Sequence, residues 1–154
     1  MPDKSLLSES EPPAFRDAVA AIIRLDDGRY LLQCRDESRG IWYPGHWGCF
    51  GGAVDQGETP EQALVRELNE ELNLRVHDPR PFCSLNFDLS DIGMRQYYRR
   101  YYEIDAKADI LEELVLGEGA GYEAFSPAVA LQEVTLTPYD AFALFLHHQR
   151  ASLR

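Results

Sequence analysis

The chain has 154 residues, a length that suits one domain, and its 45% hydrophobic content is enough for a real core and too high for a disordered or fibrous protein. It carries 15 basic against 26 acidic residues, a net charge of −11, which works against general binding to a nucleic-acid backbone or an anionic membrane surface. No run approaches the ~18 to 20 apolar residues of a membrane span.

Residues 1–13, polar and ending in Pro12-Pro13, read as a flexible leader or an arm used in dimer contacts, with neither the basic start nor the apolar stretch of a signal peptide. Residues 14–154 read as a single domain. From Ala18, two apolar runs flank Asp26-Asp27-Gly28, a turn that wants glycine, so a hairpin is expected. The first run is apolar at both parities, which predicts a strand covered on both faces. Asp36 to His46 form a polar loop, and Trp47 to Phe50 resume a short strand. Gly51-Gly52 and Asp55 to Gly57 read as turns.

Thr59-Pro60-Glu61-Gln62 then starts a helix, with Thr59 as N-cap, proline at N1 and glutamine at N3. The helix is expected to run to Leu72 and stop at Asn73, a residue that tolerates the left-handed conformation. Strands are predicted over Pro81 to Leu89 and Gln96 to Ile104. Ile110 to Leu116 fit neither period clearly, Glu123 to Phe125 suit a short strand, and Pro127 to Gln132 suit a short helix. Thr137-Pro138 caps a last helix whose Ala141, Phe142, Leu144, Phe145 and His148 share a broad face, with His147-His148 at its C-terminus read as complementing the helix dipole. Strands followed by helices at this length predict a mixed sheet with helices on both faces.

Cys34, Cys49 and Cys83 are odd in number and widely spaced, a poor disulfide framework and a poor zinc site, so each reads as a small buried residue in a reducing cytoplasm. His46 has no metal-binding partner at a suitable spacing.

The chemistry concentrates on the Pro60 helix. Each helical residue turns by about 100°, so Glu71 lies about 40° to one side of Glu67 and Glu70 about 60° to the other. Leu64, Leu68 and Leu72 form a second stripe centred about 100° from Glu67, which sets the acids at the edge of the core contact. Three like charges so placed repel one another, by roughly 0.2 to 0.5 kcal/mol per pair on an isolated helix and by more in a cleft. A divalent cation removes the conflict, and an all-oxygen ligand set favours Mg²⁺, Mn²⁺ or Ca²⁺ over zinc.

Gly52, Glu58, Arg66-Glu67-Leu68-Asn69-Glu70-Glu71 and Leu74 together resemble the Nudix box of the MutT/Nudix hydrolase superfamily at every position but one, where Asn73 stands for the helix-capping glycine. The resemblance implies an α/β/α sandwich with a mixed β-sheet, and hydrolysis of the pyrophosphate linkage of a nucleoside diphosphate joined to another moiety. Nucleotide sugars, ADP-ribose, dinucleotides and nucleoside triphosphates all qualify. It implies Mg²⁺ or Mn²⁺ held by Glu67 and Glu71, with Glu70 as a further ligand or as the base that deprotonates water. The Gly51 carbonyl becomes an extra ligand, and Arg66 holds the loop carboxylate of Glu58. The family often adds a carboxylate from a later loop. Glu118 suits that place best, Glu123 next, and Glu112 and Glu113 last.

The substrate candidates are Arg35, the aromatic loop residues Trp42, Tyr43 and Trp47, and Tyr97, Arg99, Arg100 and Tyr101 of an alternating run in which either face is open to the role. Against them stand plainer readings, a packed sheet ladder and a small aromatic cluster under the loop. The expected partner is a small nucleotide, with neither nucleic acid nor membrane, and with a homodimer open. Two other functions remain: a Nudix-like module that binds nucleotide or RNA without turnover, and a nucleotide-sugar hydrolase attacking the sugar carbon.

Overall fold

The computed structural model describes residues 18–38, 40–88, 91 and 97–153; the leader at 1–13 and the predicted strand ends at Leu89 and Gln96 lie outside them. Strands β1 (Ala18–Leu25), β2 (Tyr30–Cys34), β3 (Trp47–Gly48), β4 (Arg80–Phe87), β5 (Tyr97–Ala106) and β6 (Gly121–Phe125) form one mixed sheet, in which β1 and β5 run parallel and every other pair antiparallel. The helices are α1 (Pro60–Leu72), α2 (Pro127–Gln132) and α3 (Pro138–Gln149).

β1 sits between β2 and β5 and is buried at both parities, as its unbroken apolar run requires. Val19, Ala21 and Ile23 pack with Leu31, Tyr102 and the Leu64, Leu68 and Leu72 stripe of α1. Ala20 and Ile22 point the other way, into a second core with Tyr30, Tyr101, Ala130, Ala143 and Leu144, which puts α2 and α3 on the opposite face. The expected α+β sandwich with a mixed sheet is the observed one.

β1 and β2 pair only near their turn, at Ile23 with Leu31 and Arg24 with Tyr30. Beyond that they separate, and residues 47–53 fill the gap: Trp47 and Gly48 pair with β2, while the carbonyls of Phe50 and Gly52 accept from the Ala21 and Val19 N–H groups at 2.8 and 2.9 Å. Gly51-Gly52 is therefore a close crossing of two backbones, whereas the sequence suggested a turn. A Cβ on Gly51, at φ +139°, would lie 2.1 Å from the Val19 carbonyl oxygen.

The last helix starts at Thr137 as predicted, but its inner face is Asp140, Ala143, Leu144 and His147, while Phe142, Phe145 and His148 are exposed. Two polar residues occupy the inner face because each has buried partners. Asp140 accepts from the Tyr101 hydroxyl, the Thr137 hydroxyl and the Cys49 N–H, all at 2.9 Å. Thr137 thus spends its hydroxyl on Asp140 instead of on a cap. His147 Nδ1 lies 2.7 Å from the Tyr30 hydroxyl and Nε2 2.7 Å from Glu103, an arrangement that suits a neutral ring accepting from Tyr30 and donating to Glu103.

Burial lowers the His147 pKa from 6.5 despite Glu103, so the dipole role expected of it gives way to a core role. The unfolded chain then takes up this proton at higher pH than the folded one, and the resulting stability is present above pH 6.5 and lost as pH falls below it. Urea midpoints measured between pH 7.5 and 5 are expected to fall by an increment that His147→Gln removes, with an upper slope of about 1.4 kcal/mol per pH unit.

Of the cysteines only Cys49 is fully buried; Cys34 and Cys83 are half-buried, and all three are free thiols. Among the described residues, no helix is long and apolar enough to cross a membrane.

Candidate active site

Helix α1 holds the acids because both of its ends are fixed. Thr59 accepts from the Gln62 N–H while the Gln62 side chain accepts from the Thr59 N–H, a complete capping box. At the other end Asn73 takes the left-handed conformation, φ 53° and ψ 29°. The three acids grade in exposure: Glu71 is 5% exposed, the Glu67 side chain 15% and the Glu70 side chain 50%.

Glu71 accepts from the Gly51 N–H at 3.0 Å and from the Gln33 amide at 3.2 Å. Burial pushes its pKa up to about 7, the two hydrogen bonds opposing and the nearby charges of Glu67 and Glu118 adding to the rise. Burial also raises Glu67, against the pull of Arg66. The Arg66 guanidinium grips both oxygens of Glu58, at 2.7 and 3.0 Å, and reaches Glu67 at 2.8 Å, Glu70 at 3.3 Å and the Ala53 carbonyl at 3.1 Å. Its hydrogen bonds hold Glu58 below the usual carboxylate range. Gly52 gives this cluster its room, since a Cβ there would lie 2.5 Å from the Glu67 carboxyl carbon.

The later loop joins the same helix turn. Gly117 N–H donates to the Glu71 carbonyl at 2.7 Å and Val115 N–H to that of Leu72 at 3.2 Å. Glu118 then borders a shallow cavity of about 150 Å³ with Glu71, Gln33, Arg35 and Asp36. Glu123 faces outward from β6 and Glu112 and Glu113 are exposed in a short 3₁₀ turn, so of the four later acids Glu118 borders this cavity with Glu71.

Do these residues suit a divalent cation? The donors are all oxygen, and the buried Glu71 carboxyl is bonded to the Gln33 amide and the Gly51 N–H, with no side-chain cation on it among the described residues. The Gly51 carbonyl, between the bonded carbonyls of Phe50 and Gly52, has no hydrogen bond among the described residues. These features fit a hard cation. Among the described residues no three acidic, histidine or cysteine side chains converge closely enough to enclose an ion, because Arg66 draws Glu67 and Glu70 to itself.

Gly51, Gly52 and Ala53 also border a second cavity, of about 240 Å³, together with Ala18, Arg35, Trp42, Arg99 and Tyr139. Arg35, whose Nε donates to the Trp42 carbonyl at 2.7 Å, borders both cavities. Of the substrate candidates, Arg35, Trp42 and Arg99 line this space, and the Tyr43 ring stands against Tyr139 and His46. Others lie away from this cavity. Tyr101 is fully buried with its hydroxyl on Asp140, because odd positions of β5 face α3. Trp47, partly buried, packs edge-on to Phe125 against the core. Arg100 lies on the α1 face over the Tyr102 ring. The Tyr97 side chain is outside the described residues.

Gln33 and Tyr139 escaped the sequence reading. Gln33 had a visible signal, a polar residue at the parity of Leu31 in an otherwise apolar strand; Tyr139 had none.

A family model described as the NUDIX domain matches residues 14–145. Nucleoside triphosphatase NudI of Enterobacter sp. (strain 638) is 44% identical over 61 residues, 40% of this chain and 42% of that protein, so the chain spans about two fifths of the length of such curated relatives. Among solved structures, the Escherichia coli ORF135 protein is 30% identical with a TM-score of 0.68, covering 89% of this chain and 91% of its own. A MutT protein from Methanosarcina mazei Go1 has a TM-score of 0.72 at 24% identity, covering 94% of this chain and 100% of its own, a likeness of fold.

Proposed function

The chain belongs to the NUDIX domain family, and on that premise we propose that it is a divalent-metal-dependent hydrolase of the pyrophosphate linkage in nucleoside diphosphate derivatives. The observation that carries this reading is the placement of Glu71 and Glu118 on one cavity, with Glu67 and Glu70 on the same helix as Glu71 and both bonded by Arg66.

Glu67, Glu71 and the Gly51 carbonyl would hold Mg²⁺ or Mn²⁺. Such an ion polarises a phosphoryl oxygen, lowers the pKa of water and offsets the repulsion between acidic site and anionic substrate. Arg66 fixes Glu67 and Glu70 relative to the Glu58 loop, and Glu67 would give up part of that contact to join Glu71 on an ion. Glu70 or Glu118, both exposed, takes the proton from the attacking water. Arg35, between the two cavities, meets a phosphate, and the nucleoside enters the space bounded by Trp42 and Tyr139.

The name of the NudI relative makes nucleoside triphosphates the first class to test, beside nucleotide sugars, ADP-ribose and dinucleotides. With products identified by mass, turnover is expected with Mg²⁺ or Mn²⁺, complete loss in EDTA and recovery on adding either ion back. Binding without turnover of any compound would instead favour a binding module. In ¹⁸O-labelled water the label is expected on a phosphate; label on the sugar would mean attack at carbon.

A further inference from the structure

Gln33 is 7% exposed and follows the buried Tyr30, Leu31 and Leu32 in β2. Its Nε2 lies 3.2 Å from Glu71 Oε1 and 3.3 Å from the Glu118 carbonyl oxygen. Both neighbours accept, so the nitrogen end of the amide faces them, and its two N–H groups can serve both at once. The same Glu71 carboxylate takes the Gly51 N–H on Oε2. Each oxygen is thus held by one donor and keeps a lone pair for an ion. Without Gln33 the carboxylate would be held at Oε2 alone and could turn about that bond. The loop is fitted to the amide as well. Gly119 has φ +90°, and a Cβ there would lie 2.8 Å from Gln33 Nε2 and 3.1 Å from the Cys34 carbonyl oxygen, while the Ala120 N–H donates to that carbonyl at 2.9 Å. One amide therefore touches two acidic residues, 38 and 85 positions away in the chain, that border a single cavity.

We propose that Gln33 is a positioning residue that sets Glu71 and Glu118 as one unit at the proposed cation site: its amide fixes the plane of the Glu71 carboxylate and holds the Glu118 loop against it. This rests on the reading of these acids as the metal-binding edge of a hydrolase. Filling space does not explain the residue. Methionine fills a similar volume without burying an amide, and a buried amide is tolerated where its hydrogens find acceptors. Here both acceptors belong to the site. The kind of donor matters too. Glu67 and Glu70 are held by the charge of Arg66, whereas Glu71 and the Glu118 loop are held by a neutral group. A neutral donor restrains a carboxylate and leaves its negative charge for a cation to meet.

The test measures Mn²⁺ affinity by electron paramagnetic resonance, and amide hydrogen exchange in EDTA, for the unmodified protein, Gln33→Met and Gln33→Asn. Methionine fills the space with no donor; asparagine keeps the amide but withdraws it by one methylene. Mn²⁺ is expected to bind both variants about 10- to 100-fold more weakly, the loss usual on removing a group that orients a metal ligand. In metal-free protein the Gly117 and Ala120 amides, on either side of Glu118, are expected to exchange about tenfold faster or more. A space-filling role would leave both readouts unchanged in Gln33→Met. Unchanged Mn²⁺ affinity overturns the proposal. So does weaker Mn²⁺ binding with unchanged exchange at Gly117 and Ala120, since the loop is then held without the amide. Should Gln33→Met loosen the whole fold, read from the Val19 and Ala21 amides in the same spectra, Gln33→Asn decides; general loosening in both variants means a structural role and overturns the proposal. A different failure, no saturable Mn²⁺ binding by the unmodified protein, removes the metal-site reading itself and the proposal with it.

Discussion

Glu71→Gln is expected to lower turnover by ~100-fold or more, while circular dichroism shows an unchanged fold. Loss of a group that merely supports a metal ligand already costs about 10- to 100-fold, and Glu71 is a proposed ligand. The substitution is nearly isosteric, and a glutamine oxygen still accepts from the Gly51 N–H. The same change should raise thermal stability in metal-free protein, and only at higher pH. In the folded chain the Glu71 pKa stands at about 7 against an ordinary 4.5, so the folded state holds this proton where the unfolded chain has released it. Its favourable contribution is complete below pH 4.5 and is lost as pH rises through 7. Glutamine avoids the buried charge, so Tm in EDTA should exceed that of the unmodified protein at pH 8 and match it near pH 5. Full activity in Glu71→Gln would refute the site assignment. A lower Tm at pH 8 would refute the account of its charge.

Gly51→Ala is expected to destabilise the whole domain. Its Cβ would meet the Val19 carbonyl at 2.1 Å and the Ala20 Cα at 2.8 Å, both backbone atoms of the central strand, at a φ of +139°. Neither can move without opening the bonds that tie residues 50–52 to β1. A cost on the order of 3 kcal/mol follows, or a Tm lower by about 6 to 12 °C. Gly52→Ala makes the useful contrast. Its Cβ meets only the Glu67 carboxyl, the far end of a side chain, so activity should fall with a much smaller change in Tm. Thermal melts of the two variants side by side test this, and equal Tm losses would contradict it.

These expectations differ in how far they can be traced to the sequence. The exposure order of Glu71, Glu67 and Glu70 follows from helical geometry, because Glu71 turns toward the leucine stripe and Glu70 away from it. The capping box and the Asn73 stop were legible for the same reason: they are local, and local chemistry repeats wherever the spacing does. The face of α3 was not. Its apolar residues suggested an inner face with Phe142 and Phe145, yet Asp140 and His147 displaced them, since their partners Tyr101, Tyr30 and Glu103 lie at least 39 residues away in the chain. Arg99 and Trp42 stood among the substrate candidates, but only the β1–β5 register, which sets Arg99 beside Ala18, separates Arg99 from Arg100. Trp47 and Tyr101 looked equally suitable until packing placed Tyr101 in the core and Trp47 against it. Glycine was ambiguous for another reason: a turn and a close backbone crossing leave the same signature in one sequence.

The bonds from Gly117 and Val115 to the last carbonyls of α1 bear on portability. They pin a loop more than forty residues downstream to the turn that carries Glu70 and Glu71, by main-chain atoms alone. Gly117 has no room for a side chain there, since a Cβ would lie 2.0 Å from the Glu70 carbonyl oxygen. A designer who grafted residues 52–74 onto another scaffold would transplant the signature without the site. The graft would lack the fourth carboxylate, the Gln33 amide that steadies Glu71, and the clasp that holds the helix end in place.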